Sequence, residues 1–146
     1  LLGLAAQTIL GAQLATAKFL DDTASSQRFL AGFRRAVDAR LQALHAGFEA
    51  LRSRGFPVES LPPQGAIYLS VRIAPFGQRT PSGATLASGE DIRRYLLESA
   101  GLGIVPFRAF GVDTDEGWFR LSVGAVSLAE IEAVLPRLER ALATLT

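Results

Sequence analysis

The stretch GWFRLSVG, Gly117–Gly124, decides how this chain reads. Trp118, Phe119, Leu121 and Val123 give it the aromatic and aliphatic character of a short strand bounded by glycines. Successive strand side chains point to opposite faces, so Phe119, Leu121 and Val123 share one face and Trp118, Arg120 and Ser122 the other. The apolar trio suits a covered core. Arg120 then faces outward beside an indole and a hydroxyl, and two readings stay open. It is either a surface cation stacked on Trp118 or paired with a nearby acid, or an anion site built on the planar guanidinium fork.

Downstream, Ser127 and Glu130 have capping-box spacing and open a helix with Leu128, Ile131, Leu135, Leu138, Leu142 and Leu145 on one face. Pro136 inside it predicts a kink or a split. Upstream, RAFGVDTDEG reads as a turn and LGIVPF as a short buried strand halted by Pro106. Ser88 with Asp91 predicts a second capping box, opening a helix through Ser99 that Gly101 ends. The loop APFGQRTPSGATLASGE before it has a Gly, Pro, Ser and Thr content that predicts mobility. FPVESLPPQGAIYLSVRI gives a short extended piece, a Pro-rich turn and a strand from about Ala66 to Ile73.

The first third of the chain is helical. Leu30, Phe33, Val37, Leu41, Leu44, Phe48 and Leu51 alternate in steps of three and four, with N-caps on offer at Thr23, Ser25 and Ser26. A helix from Ser26 to Arg54, stopped by Gly55, would be about 43 Å long at 1.5 Å per residue. That exceeds what a compact domain of this size requires and predicts an interdomain helix. The opening LLGLAAQTILGAQLATAKFL is apolar, but Gln7 and Gln13 interrupt it and Lys18 closes it, so it falls short of a membrane span, and it lacks a basic leader. With no methionine present, residues 1–25 are expected to be the remnant of an upstream large domain or linker helix, and residues 26–146 the domain proper.

The element order predicts an α+β fold: a small, largely antiparallel sheet covered by helices and preceded by a long interdomain-type helix. A chain of 146 residues with 49% hydrophobic and 20% charged side chains suits one folded core. A net charge of +1 gives no electrostatic argument for nucleic acid. The absence of cysteine excludes disulfides, thiolate metal sites and cysteine nucleophiles, and is compatible with a reducing compartment.

Other chemistry-bearing residues read blandly. His45 is the single histidine, which argues against a His-based zinc site, and belongs at the surface or boundary of the long helix. DTDEG, 113–117, starts like a calcium loop, but Gly117 and Trp118 fall where a ligand and then a glycine are required, so it reads as a solvated turn. Lys18, the sole lysine, has no activating neighbour and reads as an ordinary exposed cation.

Taken in order, three segments resemble the small C-terminal domain of fold-type I pyridoxal-phosphate-dependent aminotransferases of the aspartate-aminotransferase-like class. PPQGAIYLSV, 62–71, is similar to that family's P-x-G-[AG]-[FIM]-[FY] strand. SGEDIRRYLLESAGLGIVPFRAFG, 88–111, is similar to its helix, "aGV" and "vPG-x-x-FG" turn. GWFRLSVG resembles the strand whose arginine grips the substrate α-carboxylate, and AQLATAKFLDD the helix after the lysine segment. The resemblance implies that Arg120 is the substrate-binding residue and that the chain holds no catalytic, cofactor-binding or metal residue. It implies an enzyme that interconverts amino acids and 2-oxo acids with pyridoxal 5′-phosphate, whose lysine lies in the missing large domain, so that the chain alone is inactive. It further implies a cytoplasmic homodimer with no nucleic acid or membrane partner. Phe107 stands where many members have glycine, which bears on the rim of the cleft. Two other readings stay open: an aminotransferase-like effector-binding domain of a transcriptional regulator, and a freestanding α+β interaction module.

Overall fold

A computed structural model describes the backbone of residues 2–146 and the side chains of residues 10–146; the first part of the apolar opening segment, with Gln7, lies outside the described side chains. The described elements are α1 (Leu2–Asp21), α2 (Thr23–Ser53), β1 (Val58–Ser60), β2 (Tyr68–Ile73), α3 (Gly89–Ala100), β3 (Val105–Pro106), a 3₁₀ turn (Phe107–Phe110), β4 (Trp118–Ser122) and α4 (Leu128–Ala143). By packing, the chain divides into two units, Leu1–Ala36 and Val37–Thr146. No described helix is long and apolar enough to cross a membrane.

In the first unit, Asp22 caps α2: its Oδ1 accepts from the Ser25 N–H at 3.1 Å, and the Ser25 hydroxyl, with that N–H second, holds the carboxyl below the usual aspartate range. The cap is thus the acid rather than one of the hydroxyl residues after it. Ser26 instead donates its Oγ–H to the Phe19 carbonyl at 2.6 Å. Phe29 meets Phe19 edge-on at 6.1 Å and stacks on Phe33 at 6.3 Å. The heptad-like stripe of α2 therefore divides by burial: Leu30 and Phe33 are exposed, whereas Val37, Leu41, Leu44, Phe48 and Leu51 are buried.

The second unit is the α+β sandwich that the element order predicts. Its sheet runs β1-β2-β4-β3, and every pair is antiparallel. Leu69, Val71 and Ile73 of β2 and Phe119 and Leu121 of β4 point to one face, where they share a core with Leu44 and Phe48 of α2, Ile92 and Leu96 of α3, and Ile131 and Leu138 of α4. Each such side chain, fully buried, contributes about 1.5–3 kcal/mol. The other face carries Tyr68, Ser70 and Arg72 opposite Ser122, Arg120 and Trp118, none of them buried.

Both capping boxes form. Ser88 Oγ accepts from the Asp91 N–H while Asp91 Oδ2 accepts from the Ser88 N–H at 3.0 Å; the Ser88 hydroxyl bond lowers the Asp91 pKa. Ser127 and Glu130 repeat the arrangement, with the Ser127 N–H donating to Glu130 Oε2 at 2.7 Å. Gly101 ends α3 in the left-handed region at φ 68°.

Three further expectations change. Pro136 does not split α4, which runs unbroken from Leu128 to Ala143; it and Glu132, whose carbonyl it cannot serve, are both on the exposed side, where that carbonyl is open to solvent. LGIVPF is only partly a strand: Leu102 and Ile104 are buried, but the paired residues, Val105 and Pro106, are not. The Gly/Pro-rich loop is tied down rather than free. Pro75 and Leu86 are buried, Gly77 N–H donates to the Leu86 carbonyl at 2.9 Å, and Arg79 exchanges both backbone bonds with Thr146 at 2.7 and 3.1 Å. Two buried apolar anchors outweigh a loop-like composition.

Candidate anion-binding site on the open sheet face

β4 is the pivot of the open face. Gly117, at φ 79°, lets the chain turn into the strand with its carbonyl accepting from the Ile73 N–H at 2.8 Å. A Cβ there would sit 2.7 Å from the Ile73 carbonyl oxygen. At the far end, Arg40 of α2 donates from Nη1 to the Val123 carbonyl at 2.8 Å. The strand that carries Arg120 is therefore fixed at one end by a backbone bond and at the other by the Arg40 side chain.

Arg120 lies at the middle of β4, opposite Ser70 of β2 on one side and Val105 of β3 on the other, and is half-buried. It does not stack on Trp118, as its sequence neighbourhood predicts. Its guanidinium carbon lies 4.2 Å from the Tyr68 ring centre and 4.0 Å from that of Phe110. Trp118 packs instead against Phe107 at 6.3 Å. Phe107, the departure from the family turn, thus fastens the 3₁₀ turn to β4.

The other arginine of this face makes the contrast. Arg72 donates from Nε to the Glu116 carbonyl at 2.9 Å and faces Glu59 at 3.8 Å. Among the described residues, the Arg120 side chain makes no hydrogen bond and no ion pair, so its N–H donors are uncommitted. A guanidinium set close to two rings, with its N–H donors uncommitted, can receive a planar oxyanion through two parallel bonds. Beside it, Leu61, Pro62, Pro63, Gln64, Gly65, Tyr68 and Ser70 bound a hollow of about 340 Å³. Ala66, which leads into β2, has φ 58°, the one non-glycine residue in the left-handed region among those described.

The remaining sequence candidates lie elsewhere. His45 is half-buried and shares a 2.6 Å hydrogen bond, through Nδ1, with the buried Ser60 of β1, a pairing that the sequence did not reveal. Asp115 is not simply solvated: its Oδ2 accepts from the Gly89 N–H at 2.8 Å, at the first turn of α3, where the helix dipole favours a carboxylate. In a hollow of about 370 Å³ between residues 80–86 and α3, Asp91 is engaged with Ser88 and the Tyr95 hydroxyl with the Ala141 carbonyl. Lys18 is exposed on α1. A pyridoxal phosphate site requires a lysine for the aldehyde and partners for the ring nitrogen and phosphate. The described residues do not assemble that set, since the open face around Arg120 carries no lysine.

Comparison with known proteins agrees with this architecture. Over 84 residues the chain is 44% identical to a probable aspartate/prephenate aminotransferase of Rickettsia felis, a match covering 57% of this chain and 20% of that protein. The crystal structure of an aspartate aminotransferase from Rhizobium meliloti superposes with a TM-score of 0.69 at 31% identity, over 81% of this chain and 28% of that one. The aspartate aminotransferase of Thermus thermophilus with maleate gives 0.68 at 29% identity, over 90% and 29%. The chain thus spans about a fifth to three tenths of the relatives it matches. The pattern of aminotransferase class I and II matches residues 7–138, and the chain belongs to that family.

Proposed function

We propose that this chain is the part of a pyridoxal-phosphate-dependent aminotransferase that receives the α-carboxylate of an amino acid or 2-oxo acid, with Arg120 as the anchor. The observation that carries this is the uncommitted guanidinium of Arg120 on the open sheet face, in contrast to the engaged Arg72. Each charge-assisted hydrogen bond to a carboxylate contributes about 1.5–3 kcal/mol, so a bidentate pair suffices to orient a small acid. The cofactor would supply the electron sink for amino-group exchange, and its own ligands would come from outside the residues described here. What this chain does is bind and orient the substrate at its acid end. The same reading has residues 26–146 act as the small domain and move to close the cleft, with residues 1–25 belonging to the part that precedes it.

The test is an NMR titration of the chain with maleate, the dicarboxylate present with the Thermus thermophilus relative. The Arg120 Nε–Hε signal should move and saturate, and Arg120→Lys should abolish saturable binding, because a point charge cannot reproduce the fork. Maleate shifts that ignore Arg120, or survive Arg120→Lys unchanged, refute the assignment.

A further inference from the structure

We propose that Tyr68 and Phe110 are positioning residues: they clamp the Arg120 guanidinium before any ligand arrives and select planar over tetrahedral oxyanions. The inference deepens the carboxylate reading above and rests on it for its purpose.

The sheet order supplies the two jaws. β4 lies between β2 and β3, and Tyr68 belongs to β2, whereas Phe110 ends the 3₁₀ turn that follows β3. Tyr68 is the diagonal neighbour of Arg120, two residues from its direct partner Ser70, which is within reach of an aromatic ring. The rings thus approach from the two opposite flanks of β4, each with its centre about 4 Å from the guanidinium carbon. Neither is a core residue: Tyr68 is 41% and Phe110 49% exposed. Among the described residues neither ring stacks on another aromatic, so Arg120 is their shared partner.

Phe110 is held in place by the turn it ends. Phe107 fastens that turn to Trp118, two residues before Arg120 on the same face, and Gly111 closes it at φ 85° with its N–H donating to the Arg108 carbonyl at 3.2 Å. The turn that carries Phe110 and the strand that carries Arg120 are therefore mutually braced.

Two consequences follow for binding. Arginine has among the largest rotamer freedoms of any side chain, and a fork ordered in advance loses less of it on binding, which is equivalent to about tenfold in affinity. Aromatic faces also carry negative charge density. An acid that lies in the guanidinium plane avoids them, while a tetrahedral oxyanion directs its remaining oxygens toward them. The clamp favours a carboxylate over a phosphonate of the same size.

The experiment uses the ¹⁵N-labelled 146-residue chain, with Arg120 Nε relaxation measured without ligand and titrations with acetate and with methylphosphonate. The Nε order parameter should be near that of rigid backbone, about 0.85, and should fall below about 0.6 in Phe110→Leu and in Tyr68→Leu. Phe110→Tyr should restore it, which separates ring stacking from mere bulk. Acetate should bind about tenfold more weakly to Phe110→Leu, and the preference for acetate over methylphosphonate should shrink with it. A mobile Arg120 in the unaltered chain, or equal rigidity in Phe110→Leu, overturns the clamp even where acetate still binds at Arg120. A rigid Arg120 that answers to the variants but not to acetate overturns instead the carboxylate reading on which the clamp's purpose rests.

Discussion

Replacing Gly117 by alanine should cost the fold about 2–4 kcal/mol, and the structure separates the two causes. The residue has φ 79°, where an L side chain is disfavoured by about 1–2 kcal/mol. Alanine returns about 0.4–1 kcal/mol of that by restricting the unfolded chain. The rest is steric. The new Cβ would lie 2.7 Å from the Ile73 carbonyl oxygen and 3.2 Å from the Ala74 Cβ, and the same peptide carbonyl of Gly117 accepts from the Ile73 N–H. Backbone cannot swing aside as a flexible side chain can, so strand β4 must shift against β2, an overpacking of about 1–3 kcal/mol. Gly83 is the internal control: it has φ 87° but nothing within 4 Å of a built Cβ, so Gly83→Ala carries the backbone term alone, about 0.5–1 kcal/mol net. Urea unfolding followed by circular dichroism reads both. With a slope of about 2 kcal/mol/M, Gly117→Ala should lower the midpoint by about 1–2 M and Gly83→Ala by under about 0.5 M. Equal shifts for the two variants would refute the steric argument and the packing of β4 that it depends on.

Further outcomes are expected from the same structure. Phe119→Ala empties a fully buried position at the centre of β4 and should lower stability by about 3–5 kcal/mol, seen as loss of most of the cooperative unfolding transition. Ala66→Gly should leave stability unchanged or raise it by up to about 1 kcal/mol, since relief of a left-handed alanine offsets the entropy of glycine; a clear loss by urea titration would mean that the Ala66 methyl packs. The Glu130 carboxyl is held below the usual glutamate range by the Ser127 N–H and hydroxyl, so its contribution is full above that range and is lost as pH falls through the depressed value. The stability gap between the chain and Glu130→Ala, followed by thermal melts, should therefore narrow on acidification below about pH 4; a gap independent of pH would show that the charge is not involved.

Much of this was legible because local chemistry and tertiary packing agree. The strand at 118–122, both capping boxes and the Gly101 stop each rest on residues within one or two turns of each other, and alternation alone put Phe119 inward and Arg120 outward. What failed to show required long-range pairing. Sequence offers Trp118 as the neighbour of Arg120, but the rings that flank it come from residue 68, 52 positions away, and from residue 110, in a turn with no periodicity to place a side chain. Tyr68 was recoverable in principle, since it shares the parity of Ser70 and Arg72 once β2 is set beside β4. Phe110 was not. Asp115 and Ser60 were missed for the same reason, their partners Gly89 and His45 being remote in sequence. The loop at 74–90 misled in the other direction: its composition is that of a free segment, and the burial of Pro75 and Leu86 with the backbone bonds to Leu86 and Thr146 shows that it is anchored.

The two rims of the sheet are fenced by proline. β1, at one rim, has three residues between Pro57 and the pair Pro62-Pro63, and β3, at the other, has two residues of which the second is Pro106. A ring nitrogen without a proton offers nothing to an incoming strand, and segments this short offer little else. Lateral growth, by which sheets recruit one another into ribbons, is therefore disfavoured on both sides. Anything that engages this sheet, a small acid or a much larger body, must approach it broadside.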